Sequence, residues 1–347
     1  MTKKAGIITF HNAENYGAAL QTYALMTTLQ KLGCEPHVVD YRNRGVFMRN
    51  LVKNLYYALT FQHPLKNYRA YRDFRREYLH LSERAYHTLA EFEADANQYD
   101  VLFFGSDQIW NPDLSNGFDP LYFGQFATSA KKIAYAASVG KDQLTPQERQ
   151  AINQLIRAFD AVAVREETLL PLLEGDVACS VDPCMLLSRE EWGQIAGTIR
   201  LDEGYILVYQ LFPNKAILQA ALHSARILKK RVALISPYIA FQNAGSVIKL
   251  GRISPNDFLA YYQHADLVFS DSFHGTLFSI LFQKTFYTLL PAEKTGRITS
   301  LLDKLSLSDR IIDQPVETLQ KVDYEQVLPR FEAEAHRSLD YIRRNLA

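Results

Sequence analysis

Short, wholly apolar runs alternate along this chain with segments whose apolar residues recur at helical spacing. Residues 5–10, 38–40, 101–104, 133–136 and 161–164 predict buried strands, and 15–32, stopped by Gly33, predicts the first helix. Continuous apolar strands belong to parallel sheets covered by helices on both faces. A second series follows, with strands at 205–209, 232–235 and 265–269 and a helix over 214–228. After the last strand, Leu277 to Phe282 predicts a helix with Asp271 or Ser272 as N-cap. A charged helical stretch over 323–346 closes the chain, with Phe331, Leu339, Ile342 and Leu346 as its apolar positions. A loop and a short helix interrupt the alternation between Asp182 and Glu203. The expected organisation is therefore a Rossmann-like N-terminal domain over 1–195, a second over 196–320, and a C-terminal helix over 321–347 returning to the first.

Composition narrows the function classes. Lysine plus arginine and aspartate plus glutamate both number 38 in 347 residues, so no global basic field points to nucleic acid. Any anion site must be local. Cys34, Cys179 and Cys184 form no paired framework, which suits a reducing compartment, and Cys34 and Cys179 read as small core residues. The apolar run after the two N-terminal lysines breaks at His11, too early for a secretory signal. No apolar stretch reaches the ~18 residues of a membrane span, and a cytoplasmic location is expected.

One segment departs from a plain doubly wound domain. From Arg42 to Arg76 there are nine lysines and arginines against one acid, Asp73, with Phe47, Tyr56, Tyr57, Phe61, Tyr68, Tyr71 and Phe74 interleaved. A basic helical insertion over 42–80 of this kind can lie on an anionic membrane surface through 42–76. It can equally pack on its own domain or on a second protomer.

Several polar residues directly follow predicted strands, where open α/β sheets place ligands. His274, with the backbone N–H groups of Gly275 and Thr276, opens a helix, a favourable place for an anion. Arg165 follows 161–164 and can grip a carboxylate or phosphate with two parallel hydrogen bonds; a surface ion pair with Glu166 or Glu167 is the structural alternative. Arg297 precedes the helical run Ile298 to Leu305 and is a third cation. His11, Asn12, Asn15 and Tyr16 form the loop after the first strand, with sugar-binding chemistry and no GxGxxG. Asp107, Gln108, Trp110 and Asn111 follow another strand; Trp110 could face a pyranose while Asp107 accepts from a hydroxyl, against a core tryptophan and a turn-forming aspartate.

The ordered set Gly6 to Gln21, Gly105 to Pro112, Tyr135 to Ser138, Val164-Arg165-Glu166, Val181-Asp182-Pro183 and Ser270 to Thr276 resembles the polysaccharide pyruvyl transferase family over roughly residues 5 to 310. The resemblance implies transfer of pyruvate from phosphoenolpyruvate onto two sugar hydroxyls, making a cyclic ketal. It also implies a GT-B-like arrangement, two Rossmann-like parallel-sheet domains facing a cleft. The family's donor site falls on Arg165 and His274, supported by Ser272, Gly275, Thr276 and Arg297. In better-studied branches an arginine stands where this chain has Ser272, and Arg297 is its expected substitute. The acceptor, a sugar or lipid-linked oligosaccharide, would meet His11, Asn12, Asn15, Tyr16, Asp107, Gln108, Trp110 and Asn111.

The implied chemistry needs a proton on C3 of the enol phosphate as a hydroxyl attacks C2. Neighbouring anions favour a protonated imidazole, which makes His274 the expected general acid. Neither metal nor organic cofactor is called for. The competing readings are a GT-B glycosyltransferase using a nucleotide sugar and a non-catalytic glycan-binding relative.

Overall fold

The computed structural model describes residues 2–43, 64–115, 117–199, 201, 204–211, 215–236, 247–251, 253–290, 295–316 and 318–347. The backbone separates into two compact units. One holds Met1–Pro64, Tyr71–Leu187 and Ala333–Ala347, the other Leu65–Ala70 and Ser188–Glu332. The longer helices are α1 (Tyr16–Lys31), α2 (Pro64–Tyr78), α3 (Pro146–Leu155), α4 (Lys215–Leu228), α5 (Pro255–His264), α6 (Phe273–Leu281), α7 (Gly296–Lys304) and α8 (Tyr324–Leu346).

The first unit carries a sheet of β1 (Lys4–Ile8), β2 (Glu35–Tyr41), β3 (Leu81–Tyr86), β4 (Val101–Phe104), β5 (Lys131–Ala137), β6 (Ala161–Val164) and β7 (Val177–Cys179). Its order is β3-β2-β1-β4-β5-β6-β7, with every pairing parallel. The second unit's sheet runs β10 (Ile248–Lys249), β9 (Val232–Ile235), β8 (Tyr205–Tyr209), β11 (Ala265–Ser270), β12 (Thr285–Thr288), again all parallel. The chain therefore has the expected α/β class: two parallel-sheet units with helices, and a C-terminal helix.

Apolar residues on both faces of each strand are the cause. Val101 and Phe103 of β4 join Ile7, Ile133 and the α1 residues Leu25, Met26 and Leu29 in one core layer. Leu102 and Phe104 point the other way, into a layer with Ile8, Trp110, Phe123 and Ile152. Tyr341 and Ile342 near the end of α8 complete the first layer. Tyr341 Oη–H donates to the Ala134 carbonyl at 3.1 Å, and Ser338 Oγ accepts from the Val181 N–H at 2.9 Å.

Strands β3, β7, β10 and β12 carry no clear signal in the apolar pattern. All four stand at the ends of the strand order of their sheets. An edge strand needs less apolar surface and is commonly short or polar. The sequence Leu81-Ser-Glu-Arg-Ala-Tyr86 of β3 illustrates this, with only Tyr86 buried.

The basic segment resolves in part, since 44–63 lies outside the described residues. Helix α2 packs its aromatics on α1: Tyr71 lies 5.6 Å from Tyr16, and Phe74 and Tyr78 lie 6.4 and 6.1 Å from Tyr23. Tyr71 and Phe74 are buried, while Arg69, Arg72 and Arg76 are exposed. No described helix is long and apolar enough to cross a membrane.

Candidate functional site

Because the strands of the first sheet are parallel, the loops after β1, β4, β5, β6 and β7 leave the same edge. Polar side chains collect there. Arg165, the residue after β6, donates from Nη1 to Asp182 Oδ2 at 2.7 Å, and both side chains are almost wholly buried. Asp182 Oδ1 accepts the Cys184 N–H at 3.0 Å, and Ser106 Oγ lies 3.4 Å from Oδ2. Burial works to lower the Arg165 pKa, but Asp182, Glu166 and Asp107 outweigh it and hold the guanidinium above its ordinary value. Asp182, in direct contact, is the strongest of these favourable influences.

Arg165 is buried rather than at the surface. It pairs with the buried Asp182, 17 residues on. Glu166 Oε1 instead accepts from the Ser138 hydroxyl, tying β6 to the loop after β5, and the Gly140 N–H donates to Ser138 Oγ at 3.1 Å. Thr9 Oγ1 accepts from Gln21 Nε2 at 3.0 Å and donates to the Ser106 carbonyl at 3.1 Å, joining the β1 and β4 loops. Asp182, Ser106 and Ser138 stand in the sequence only as members of the family-like motifs, with no role of their own marked there. Their shared signal is a small or acidic polar residue just past a buried strand.

The residues expected to meet an acceptor separate into two groups. Asn12 and Asn15 are exposed, and Asn15 Oδ1 accepts the Ala18 N–H at 3.1 Å as the cap of α1. Asp107 and Gln108 are half-buried, with Asp107 in the left-handed region at φ 64°. The other four are built into the fold. His11 is buried, with Nε2 3.0 Å from Asp40 Oδ1 and Nδ1 3.3 Å from the Thr9 carbonyl, so both nitrogens already face oxygens. Tyr16 is covered by Tyr71. Trp110 is fully buried, stacked on Phe123 at 5.3 Å, and its Nε1–H donates to the Tyr122 carbonyl; it is a core tryptophan, not a pyranose platform. Asn111 is fully buried, donating to Gln108 Oε1 and accepting the Asp113 N–H, both at 3.0 Å.

In the second unit, β11 ends at Ser270 and α6 begins at Phe273. Ser272 is the N-cap, its Oγ accepting the Gly275 N–H at 3.4 Å. The Thr276 N–H donates to the Ser272 carbonyl at 2.9 Å. The two backbone donors expected to hold an anion are therefore engaged by the cap. His274 lies in the first turn and is buried. Gly275 is there for close approach: a Cβ would stand 2.0 Å from Ser270 Oγ and 2.8 Å from Tyr209 Cδ1. Arg297 lies, half-buried, in the first turn of α7.

A model of one family, polysaccharide pyruvyl transferase, matches residues 15–291, about four-fifths of the chain. The chain belongs to that family. Its members are enzymes, and the family implies a sugar or polysaccharide acceptor. No curated protein matches the chain. Among solved structures it is similar to UDP-N-acetylglucosamine 2-epimerase from Rickettsia bellii, at 12% identity and TM-score 0.56, covering 100% of this chain and 96% of that one. It is also similar to the UDP-GlcNAc 2-epimerase of Neisseria meningitidis bound to UDP-GlcNAc, at 11% identity and TM-score 0.51, covering 100% and 99%. The glycosyltransferase SnogD from Streptomyces nogalater matches at 12% identity and TM-score 0.50, covering 99% and 100%. At these identities the likeness is one of fold, the GT-B-like class of two parallel-sheet α/β units.

Within this pyruvyl transferase family, Ser272 has a local explanation. A serine oxygen can accept from the Gly275 N–H and cap α6, whereas an arginine carries donors only. The position thus serves the helix start here.

Proposed function

We propose that the protein transfers pyruvate from phosphoenolpyruvate to two hydroxyls of a sugar in a polysaccharide or lipid-linked oligosaccharide precursor. The product is a cyclic pyruvate ketal, and phosphate is released. The observation that carries this reading is the family match over residues 15–291. Supporting it, Arg165 and His274 each follow the C-terminal end of a parallel strand, where open sheets place ligands.

In this reading His274 donates a proton to C3 of the enol phosphate as the first hydroxyl attacks C2. The second hydroxyl then attacks C2 as phosphate departs, and each hydroxyl loses its proton. Arg165 holds the donor's carboxylate or phosphate and stabilises the charge that develops. Asp182 engages its Nη1, so a two-pronged anion contact would use the Nε and Nη2 edge. Asp182 already pairs with that guanidinium, so an anionic donor needs further positive charge. The scheme runs without metal or organic cofactor.

The test is to incubate the protein with phosphoenolpyruvate and a panel of sugars and sugar-lipids, following phosphate release and product mass. The expected product gains pyruvate less one water. Release of nucleotide from a UDP-sugar, with no phosphate from phosphoenolpyruvate, would replace this reading with a glycosyltransferase.

A further inference from the structure

We propose that Asp182 is a positioning residue for the donor, acting through Arg165. The inference rests on the donor role of Arg165 stated above. Asp182 opens the short helical turn Pro183–Leu186 after β7, and its carboxylate is held from two sides. One oxygen accepts the Cys184 N–H at 3.0 Å; the other accepts from Arg165 Nη1 at 2.7 Å and lies 3.4 Å from Ser106 Oγ. The Arg165 guanidinium is therefore anchored at Nη1 by an acceptor that backbone geometry itself holds. The contact ties β6 to the turn after the edge strand β7. A long, flexible arginine is restricted this way and loses less freedom when an anion binds.

Both oxygens are needed. Asparagine offers one acceptor where aspartate offers two. Whichever way an asparagine turned at 182, either the Cys184 N–H or Arg165 Nη1 would meet its NH2 group. Losing a hydrogen bond between charged groups corresponds to about tenfold or more in affinity.

The experiment measures phosphoenolpyruvate binding by calorimetry for the full chain and for R165K, D182N and the double variant, each checked by thermal unfolding. The expected result is binding about tenfold or more weaker in D182N and in R165K, with the double variant within about threefold of the weaker single. Two outcomes overturn the inference while leaving the donor site standing. In one, D182N binds within about twofold of the parent while R165K is weakened; in the other, the two losses multiply in the double variant. R165K binding like the parent would instead remove the donor role of Arg165, and the inference with it. Should D182N not fold, D182E, whose oxygens sit one methylene further out, is read by the same comparison.

Discussion

His11 Nε2 lies 3.0 Å from Asp40 Oδ1, and both side chains are buried where β1 and β2 end. Arg42 reaches the same carboxylate with Nε at 2.9 Å and Nη2 at 2.6 Å. Burial alone would raise the Asp40 pKa, but the hydrogen bonds from His11 and Arg42 prevail and hold it well below the usual carboxylate range. The sign follows from linkage. A depressed folded pKa stabilises the protein fully above the unfolded value of about 4, and that stability is lost as pH falls further. Asp40→Asn should therefore be less stable than the parent at pH 7, by about 2 kcal/mol. The gap should close below about pH 4. Urea unfolding at several pH values checks it; a gap that stays constant down to pH 2 would mean that folding does not depress the Asp40 pKa.

The contrast between His11 and His274 shows how much of the site the chain reveals by itself. Both are histidines just after strands, and sequence spacing treats them alike. Folding hands both ring nitrogens of His11 to oxygens within its own unit, one of them on Asp40, 29 residues away. Pairings across such distances leave no periodic trace. Strands with two apolar faces, such as Val101 to Phe104, were legible because a covered parallel strand has to be apolar throughout. The edge strand β3 was not, because a single neighbour asks little of its side chains. Trp110 and Asn111 were misplaced for a third reason. A strand end marks where a loop begins, but not which of its residues turn back into the core.

Gly275 sets the position of His274. With no room for a Cβ beside Ser270 and Tyr209, Gly275→Ala should push α6 away from β11. Overpacking of this kind destabilises by about 1–3 kcal/mol. Unfolding by denaturant reads the loss, which should be accompanied by reduced transfer activity. A variant as stable and as active as the parent would show that α6 tolerates displacement and does not place His274 tightly.

His274→Ala should keep the fold and lose the reaction. Removing a general acid lowers the rate by about 10²–10⁴. Circular dichroism confirms folding, and phosphate release from phosphoenolpyruvate measures turnover. A rate within a few-fold of the parent would exclude the acid role and leave His274 as a buried helix-start residue.

The exposed basic face of α2 leads to the last prediction. Tyr71 and Phe74 are buried against α1, each removing about 1.5–3 kcal/mol of apolar surface energy from any membrane contact. What α2 offers outward is one exposed aromatic, Tyr68, and mainly charge: Arg69, Arg72 and Arg76, the second of them paired with Asp73 at 2.8 Å. Each arginine near an anionic leaflet contributes about 1 kcal/mol, so attraction through this helix would be electrostatic and reversible. Binding should then fall steeply with salt, since screening shortens its reach to roughly 8 Å at physiological ionic strength. Sedimentation with anionic and neutral vesicles at low and high salt should show binding to the anionic ones alone, and at low salt alone. Replacing Arg69 and Arg76 by glutamine should reduce that binding without lowering the melting temperature, because both side chains are exposed. Equal sedimentation with both lipid types would reject a membrane role for this face and leave α2 as a helix whose purpose is to cover α1.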